Sequence, residues 1–295
     1  MMKFGDLVIA GLVAGSIYAV FAVCVAVWYR VCNILNLAVG DFAMVGALGV
    51  DYLFRVENWP LPLAIAAVLA AVAAFGYCYD RVVLSLAQDR RRQEGIVVTF
   101  FFTFALSFFI EGVAQILFGT NVHAAPALWP GNSLSLGSGL NIERAGILVL
   151  ACALLSGGIF ALYIRYTLSG KAMEACGENY LGARIVGIDT RRYRRVIFVG
   201  TAVLAGIFGI VESPITGYTY ISGAVISLTG FIAAAYGGFR SPGRALVAGL
   251  VIGVVEALLG GYVSAEYGDT VLYALLAALV LARPRALGFE SAVSN

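Results

Sequence analysis

The chain has 295 residues, 61% of them hydrophobic and 12% charged, with a formal net charge of +2. Soluble domains carry about 25% charged residues, so this composition excludes a soluble enzyme and predicts an all-α polytopic membrane protein. The length suffices for about 8 to 10 transmembrane helices with short connections, in a single transmembrane domain over 1–295.

Apolar runs place spans at about 7–29, 36–54, 61–80, 96–118, 145–164, 196–213, 222–238, 245–262 and 269–283. The first is too long for the core of a signal peptide and reads as a retained span. On this map sixteen Lys and Arg residues fall on one side: Arg30, Arg81, Arg90, Arg91, Arg92, seven from Arg165 to Arg195, Arg240, Arg244, Arg283 and Arg285. Three, Lys3, Arg55 and Arg144, fall on the other. The positive-inside rule makes the first side cytoplasmic, with the N-terminus outside and the C-terminus in the cytoplasm. Outer loops then hold Trp59, His123, Trp129, Glu143, Glu266 and Asp269. The two tryptophans suit an interfacial belt, and His123 reads as a solvated loop residue.

Spans one and six are five apart and therefore run in opposite directions. Each leads into an irregular, glycine-bearing stretch, 33-NILNLAVGDFAMVGALG-49 and 213-SPITGYTYISGAVISLTGFIAAAYGG-238. Interrupted helices at matching positions of two halves predict an inverted repeat with a translocation pathway between the broken pieces. The alternative is two glycine-rich packing regions. Five acids lie in or near apolar runs: Asp41, Asp51, Glu111, Glu212 and Glu256. A charge at the bilayer centre costs at least about 2.5–3.5 kcal/mol, so such groups face protein or water. Candidate pathway residues are Asn36, Gly40, Asp41, Glu212, Tyr218 and Tyr220. For Asp41 the competing role is structural, capping a half-helix. Asp51 reads as interfacial, and Glu111 and Glu256 as bonding across helices.

The cytoplasmic loop from 165 to 195 holds seven of nineteen basic residues. Its stretch KAMEACGENYLGARIVGI has helix formers bounded by Gly170 and Gly187, predicting a small helix over about 171–188. Apolar Met173, Leu181, Ile185 and Val186 would fill a partner's groove, with Lys171, Glu174 and Arg184 at its rim. Arg191, Arg192, Arg194 and Arg195 read as lipid anchors for the sixth span.

The chain lacks the phosphate-binding G-x-x-x-x-G-K-[ST] pattern, so ATP hydrolysis by this chain alone is not expected. One histidine and five scattered cysteines offer no metal spacing, so no catalytic residues, metal or cofactor are expected. Nor does the basic residues' division among separate loops suit a nucleic-acid partner.

The stretch 11-GLVAGSIYAVFAVCVAVWYRVCNILNLAVGDFAMVGA-47 resembles the opening of LivH-type permeases of branched-chain amino acid ABC importers, with their GSIYAL-like span and NFAHGEFYMLGA segment. The stretch 169-SGKAMEACGENYLGARIVGIDT-190 is similar to their coupling loop, and 234-AAYGGFRSPGRALVAGLVIGVVEAL-258 to their glycine pattern. The resemblance spans nearly the whole chain in order. Departures are Val39 for the usual His, Asp41 for Glu, Arg240 near a usual Gly, and PRALG at the C-terminal pattern, which leaves the solute open. The resemblance implies a subunit in a bacterial inner membrane that forms half of a translocation pathway for branched-chain or other small amino acids. It implies as partners a second, LivM-like permease, two cytoplasmic ABC ATPase subunits and an extracytoplasmic substrate-binding protein, besides membrane lipid. ATPase coupling would then fall on Lys171, Met173, Glu174, Ala175, Leu181, Arg184 and Gly187. Urea, amides or a sugar are alternative solutes for the same architecture, and an ion-coupled secondary transporter using Asp41 or Glu212 is the alternative mechanism.

Overall fold

A helix that is apolar on every side has no stripe to turn toward a core, so it is buried among other helices or in lipid. The first helix of the computed structural model, α1 (Phe4–Cys32), is of this kind. From Ala19 to Trp28 none of its residues is more than 1% exposed, which makes it the central post of the molecule. The structure describes residues 4–85, 92–131, 134–136, 140–142 and 144–262, with further helical positions at 274 and 278.

After α1 come α2 (Val39–Arg55), α3 (Leu61–Tyr79) with a π-helical turn at Asp80–Leu84, α4 (Arg92–Phe118) and α5 (Arg144–Tyr166). Two short helices follow, α6 (Leu168–Glu178) and α7 (Tyr180–Ile185), then α8 (Thr190–Thr216), α9 (Ser222–Gly237) and α10 (Pro242–Tyr262). A small antiparallel hairpin, β1 (Leu134–Leu136) and β2 (Leu140–Ile142), precedes α5, with Leu134 opposite Ile142. Among the described residues six helices are long and apolar enough to cross a membrane: α1, α3 with its π turn, α4 from Val98, α5, α8 and α10. The other two, α2 and α9, have 17 and 16 residues. At about 1.5 Å per residue they fall short of a hydrocarbon core of about 30 Å. Eight expected spans thus coincide with helices. Of the ninth, at 269–283, only positions 274 and 278 are described, and Glu266, Asp269, Arg283, Arg285 and the PRALG pattern lie outside the described residues, as do Lys3, Arg90, Arg91 and Glu143.

Lipid is as apolar as leucine, so helices associate in it through close packing and small residues. α1 and α10 meet in this way. Gly11 rests against Val254 and Ala257, and Gly249 against Ala19, so the two helices run antiparallel. A Cβ on Gly253 would collide with the backbone of Gly15. α1 is also antiparallel to α8, with Trp28 packed edge-on against Phe198 at 5.3 Å and Phe21 against Phe208 at 5.8 Å. Each of these long helices leads through irregular backbone into a short one, α1 into α2 and α8 into α9. This is the expected inverted repeat with broken helices. Exposed apolar side chains collect on the periphery, at Phe101, Phe104, Phe108 and Phe109 on α4 and at Leu154, Leu155, Ile159 and Leu162 on α5. These faces suit acyl chains.

The arginine cluster at the start of α8 divides differently from expectation. Arg191 and Arg192 are exposed. Arg194, in contrast, is 2% exposed, and its Nε and Nη2 donate to the Oδ1 and Oδ2 of Asp80 at 2.7 and 3.2 Å. Arg195 Nε adds a bond to Asp80 Oδ2 at 3.2 Å. The reason is Asp80 itself, fully buried in the π turn and in need of a counter-charge. These two arginines therefore pin α8 to α3 instead of anchoring it in lipid headgroups. Arg194→Ala is expected to destabilise the purified protein by about 3–5 kcal/mol. Asp80→Leu combined with Arg194→Met should cost much less, as read by thermal unfolding in detergent.

Candidate functional site

The expected pathway residues fall into two groups. The first lies where α2 and α9 begin. α1 ends at Cys32, and residues 33–38 are irregular until Val39 opens α2. Asn36, 3% exposed, accepts the backbone N–H of Ala38 on its Oδ1 at 3.0 Å, turning the chain into the helix. Gly40 donates its N–H to Ser227 Oγ of α9 at 2.8 Å. The two short helices cross with their first turns in contact. A Cβ on Gly40 would collide with the carbonyl of Gly223, and one on Gly223 with the carboxylate of Asp41.

Asp41 is fully buried in the first turn of α2, where the helix dipole favours a negative group. Neither carboxylate oxygen has a strict hydrogen-bond partner among the described residues. The Ser107 hydroxyl and Glu111 carboxyl of α4 lie beside it, outside that geometry. Glu111 in turn faces the backbone N–H of Ala224 in the first turn of α9. Two carboxyl groups therefore converge on the starts of the two short helices, Asp41 fully buried and Glu111 half-buried. Ser107, Glu111, Gly223 and Ser227 complete this group without having stood among the candidate pathway residues. Glu111 carried a sequence signal as an acid in an apolar run, and Gly223 and Ser227 lay within the glycine-bearing stretch 213–238, whereas Ser107 carried none.

The second group lies at the end of α8, in the backbone that leads into α9, and beside the far end of α2. Glu212, 1% exposed, accepts a bond from Thr216 Oγ1 at 3.1 Å, and Tyr218, fully buried, sets its phenol beside the same carboxylate without a strict hydrogen bond. Tyr220 is half-buried against the core. The loop after α4 is strapped over this region. His123 and Tyr218 exchange backbone hydrogen bonds at 2.9 and 2.7 Å, and Ala125 N–H donates to Ser213 Oγ at 2.9 Å. His123 is not a solvated loop residue: its Nδ1 pairs with Asp51 Oδ2 at 2.9 Å and its Nε2 with the Phe118 carbonyl at 3.1 Å. Both partners accept, so the ring satisfies both only when both nitrogens carry hydrogens. Asp51, expected at the interface, is 4% exposed and also paired with Arg55 at 2.5 Å. The histidine's distant partner, 72 positions away, had no local signal.

The third group is the loop read as a coupling segment. One small helix was expected over 171–188, and the structure has two. Asn179, in extended backbone, ends α6 and caps α7 by accepting the N–H of Gly182 on its Oδ1 at 2.8 Å. Thr167 caps α6 in the same manner, and Asp189 caps α8. Gly187 turns the chain between them at φ +84°. Leu181, Ile185 and Val186 are exposed at 58, 85 and 73%, so α7 and the turn after it project an apolar tip, with Arg184 exposed beside them over the Tyr180 ring. Met173 does not join this tip. It is 1% exposed, beneath α6. Lys171 is exposed and Ala175 half-buried, while Glu174 is held from below by Arg30 of α1 at 2.5 Å and by Lys171 at 3.3 Å. The hydrogen bond from Arg30 keeps the Glu174 carboxyl below its usual range, against the opposing effect of partial burial.

Comparison with known proteins gives these groups a common frame. A family described as "Branched-chain amino acid transport system / permease component" matches residues 7–280. The high-affinity branched-chain amino acid transport system permease protein LivH of Salmonella typhimurium is 29% identical over 93% of this chain and 92% of its own length. LivH of Escherichia coli K12 is 28% identical over the same shares, and BraD of Pseudomonas aeruginosa is 27% identical over 93% and 92%. With nearly the whole chain matched in one continuous stretch, this multi-pass membrane protein belongs to the family of permease components of branched-chain amino acid transport systems.

Proposed function

We propose that the chain forms half of the translocation pathway of an ATP-driven importer for branched-chain or other small amino acids. It would pair with a second permease, receive solute from an extracytoplasmic binding protein, and couple to two cytoplasmic ATPases. The observation that carries this reading is the apolar tip formed by Leu181, Ile185 and Val186 in a chain of this family that lacks a phosphate-binding loop. A tip of this kind, flanked by Arg184, suits a groove on an ATPase. The excess of basic residues on that side supports a cytoplasmic position for it, with the N-terminus outside and the C-terminus inside.

The pathway itself would be opened and closed where α2 and α9 cross. Their first turns touch through Gly40 and Gly223, so a small relative displacement of the two helices changes the surroundings of Asp41 and Glu111. Asp41 is sealed in this conformation, which suits a closed gate. Because Asp41 and Glu111 lie within protein at a helix start, they are placed to interact with a solute ammonium group once the contact opens. The chain's part in the cycle is conformational: α6 and α7 are displaced, and the broken helices expose their crossing to one side and then the other.

Proteoliposomes holding the complete importer should accumulate amino acid only with ATP inside. Uptake by this chain alone, driven by an ion gradient, would identify an ion-coupled carrier using Asp41 or Glu212. Urea, an amide or a sugar would emerge from the same assay as the preferred solute if the family's usual cargo does not apply. Leu181→Asp together with Ile185→Asp should reduce ATPase co-purification by at least about tenfold, since each buried apolar side chain contributes about 1.5–3 kcal/mol. Permease abundance in the membrane should stay the same. Asp41→Ala should lower flux about tenfold or more while abundance falls less than about twofold; equal losses of flux and abundance would assign Asp41 a structural role.

A further inference from the structure

Arg30 occupies the last turn of α1, and its guanidinium ties together pieces far apart in sequence. Nη2 donates to Glu174 Oε1 of α6 at 2.5 Å, and Nη1 to the backbone carbonyl of Arg240, between α9 and α10, at 3.1 Å. Arg240 passes the link on, its Nη2 donating to Asn33 Oδ1 at 3.2 Å. Asn33 is the left-handed residue, φ +57°, at which α1 gives way to the irregular segment leading to Asp41. α6 is seated directly on this joint, because a Cβ on Gly177 would collide with the carbonyl of Arg30.

The arrangement has a mechanical consequence. α6 and α7 present the cytoplasmic tip, whereas the crossing of α2 and α9 lies deeper in the molecule. Arg30 touches α6 and the exit of α9, and through Arg240 it reaches the entry to α2. A flexible loop would dissipate a displacement. A planar guanidinium holding two acceptors at a fixed angle passes it on, and a lysine ammonium on a flexible stem cannot hold both in that geometry.

We infer that Arg30 is a positioning residue that transmits displacement of α6 to both broken helices, a role that rests on the ATP-driven reading above. It makes no claim on solute contact. Removing the guanidinium should leave hydrolysis and assembly in place while the two broken helices no longer follow.

The test uses the complete importer in proteoliposomes, measuring ATPase occupancy, hydrolysis and solute moved per ATP. Arg30→Ala should retain ATPase occupancy and lower solute per ATP by about tenfold, within the usual range of coupling energies between sites. Arg30→Lys, keeping the ion pair with Glu174 but losing the second acceptor, should fall between Arg30→Ala and the unmodified chain. Arg30→Glu combined with Glu174→Arg should recover part of the ratio lost in Arg30→Glu alone. An unchanged ratio in Arg30→Ala overturns the inference. So does a fall of flux and hydrolysis in step with lost ATPase occupancy, which marks a purely structural role. Failure of the unmodified importer to show ATP-driven uptake overturns the importer reading itself, before any variant is compared.

Discussion

Inside a bilayer every backbone N–H and C=O must find its partner within the protein. The rest of this structure depends on how that demand is met at two places where helices stop short. At residues 33–38 the Asn36 side chain takes the N–H of Ala38, and Ser227 of α9 takes that of Gly40. After α8 the backbone of Tyr218 pairs with His123 from the loop following α4, and Thr219 N–H donates to Ser222 Oγ at 2.9 Å. Each interruption is thus closed by a group from elsewhere in the fold. Irregular backbone survives here because α1, α8 and α9 surround it.

Charge follows the same economy of position. Toward the ends of the helices carboxylates are paired, Asp80 with Arg194 and Arg195, Asp51 with Arg55 and His123, Glu174 with Arg30 and Lys171. At the crossing of α2 and α9, Asp41 and Glu111 face helix starts and each other, and no cation among the described residues pairs with them. Paired charges fix the ends of the helices relative to one another. At the crossing the Asp41 and Glu111 carboxyls lie instead at helix starts, beside the Ser107 hydroxyl and the Ala224 N–H.

The packing of α1 and that of the crossing differ in kind. The close glycine packing of α1 on α10 leaves no slack, and α1 also carries in its last turn the arginine that seats α6. The short helices α2 and α9 contact that post at fewer places and meet each other through two glycines and one hydroxyl bond. The crossing therefore joins its two helices where side chains are small and side-chain bonds are few.

Hydrophobicity and its interruptions were legible in the sequence because lipid imposes a local requirement: about 20 apolar residues per span, with breaks only where function or packing supports them. Hence eight helices stand where apolar runs predicted them, and the first break begins at residue 33 as expected, whereas the second begins at 217 because α8 continues through Ser213 and Pro214 to Thr216. The acids were also visible, since a carboxylate in an apolar run is conspicuous without knowledge of the fold. Their partners were not. Asp80 with Arg194 and His123 with Asp51 are joined across 114 and 72 positions, and no local pattern records such a pairing. For the same reason Met173 read as a surface residue although it is buried, and Glu174 as a rim residue although Arg30 holds it from below. The sequence by itself determined a helical membrane protein, its broken segments and its basic loop, because these follow from composition along the chain. Only the tertiary structure decided which face of the loop is free, which charges are paired and what joins the loop to the crossing, because these depend on packing between residues distant in sequence.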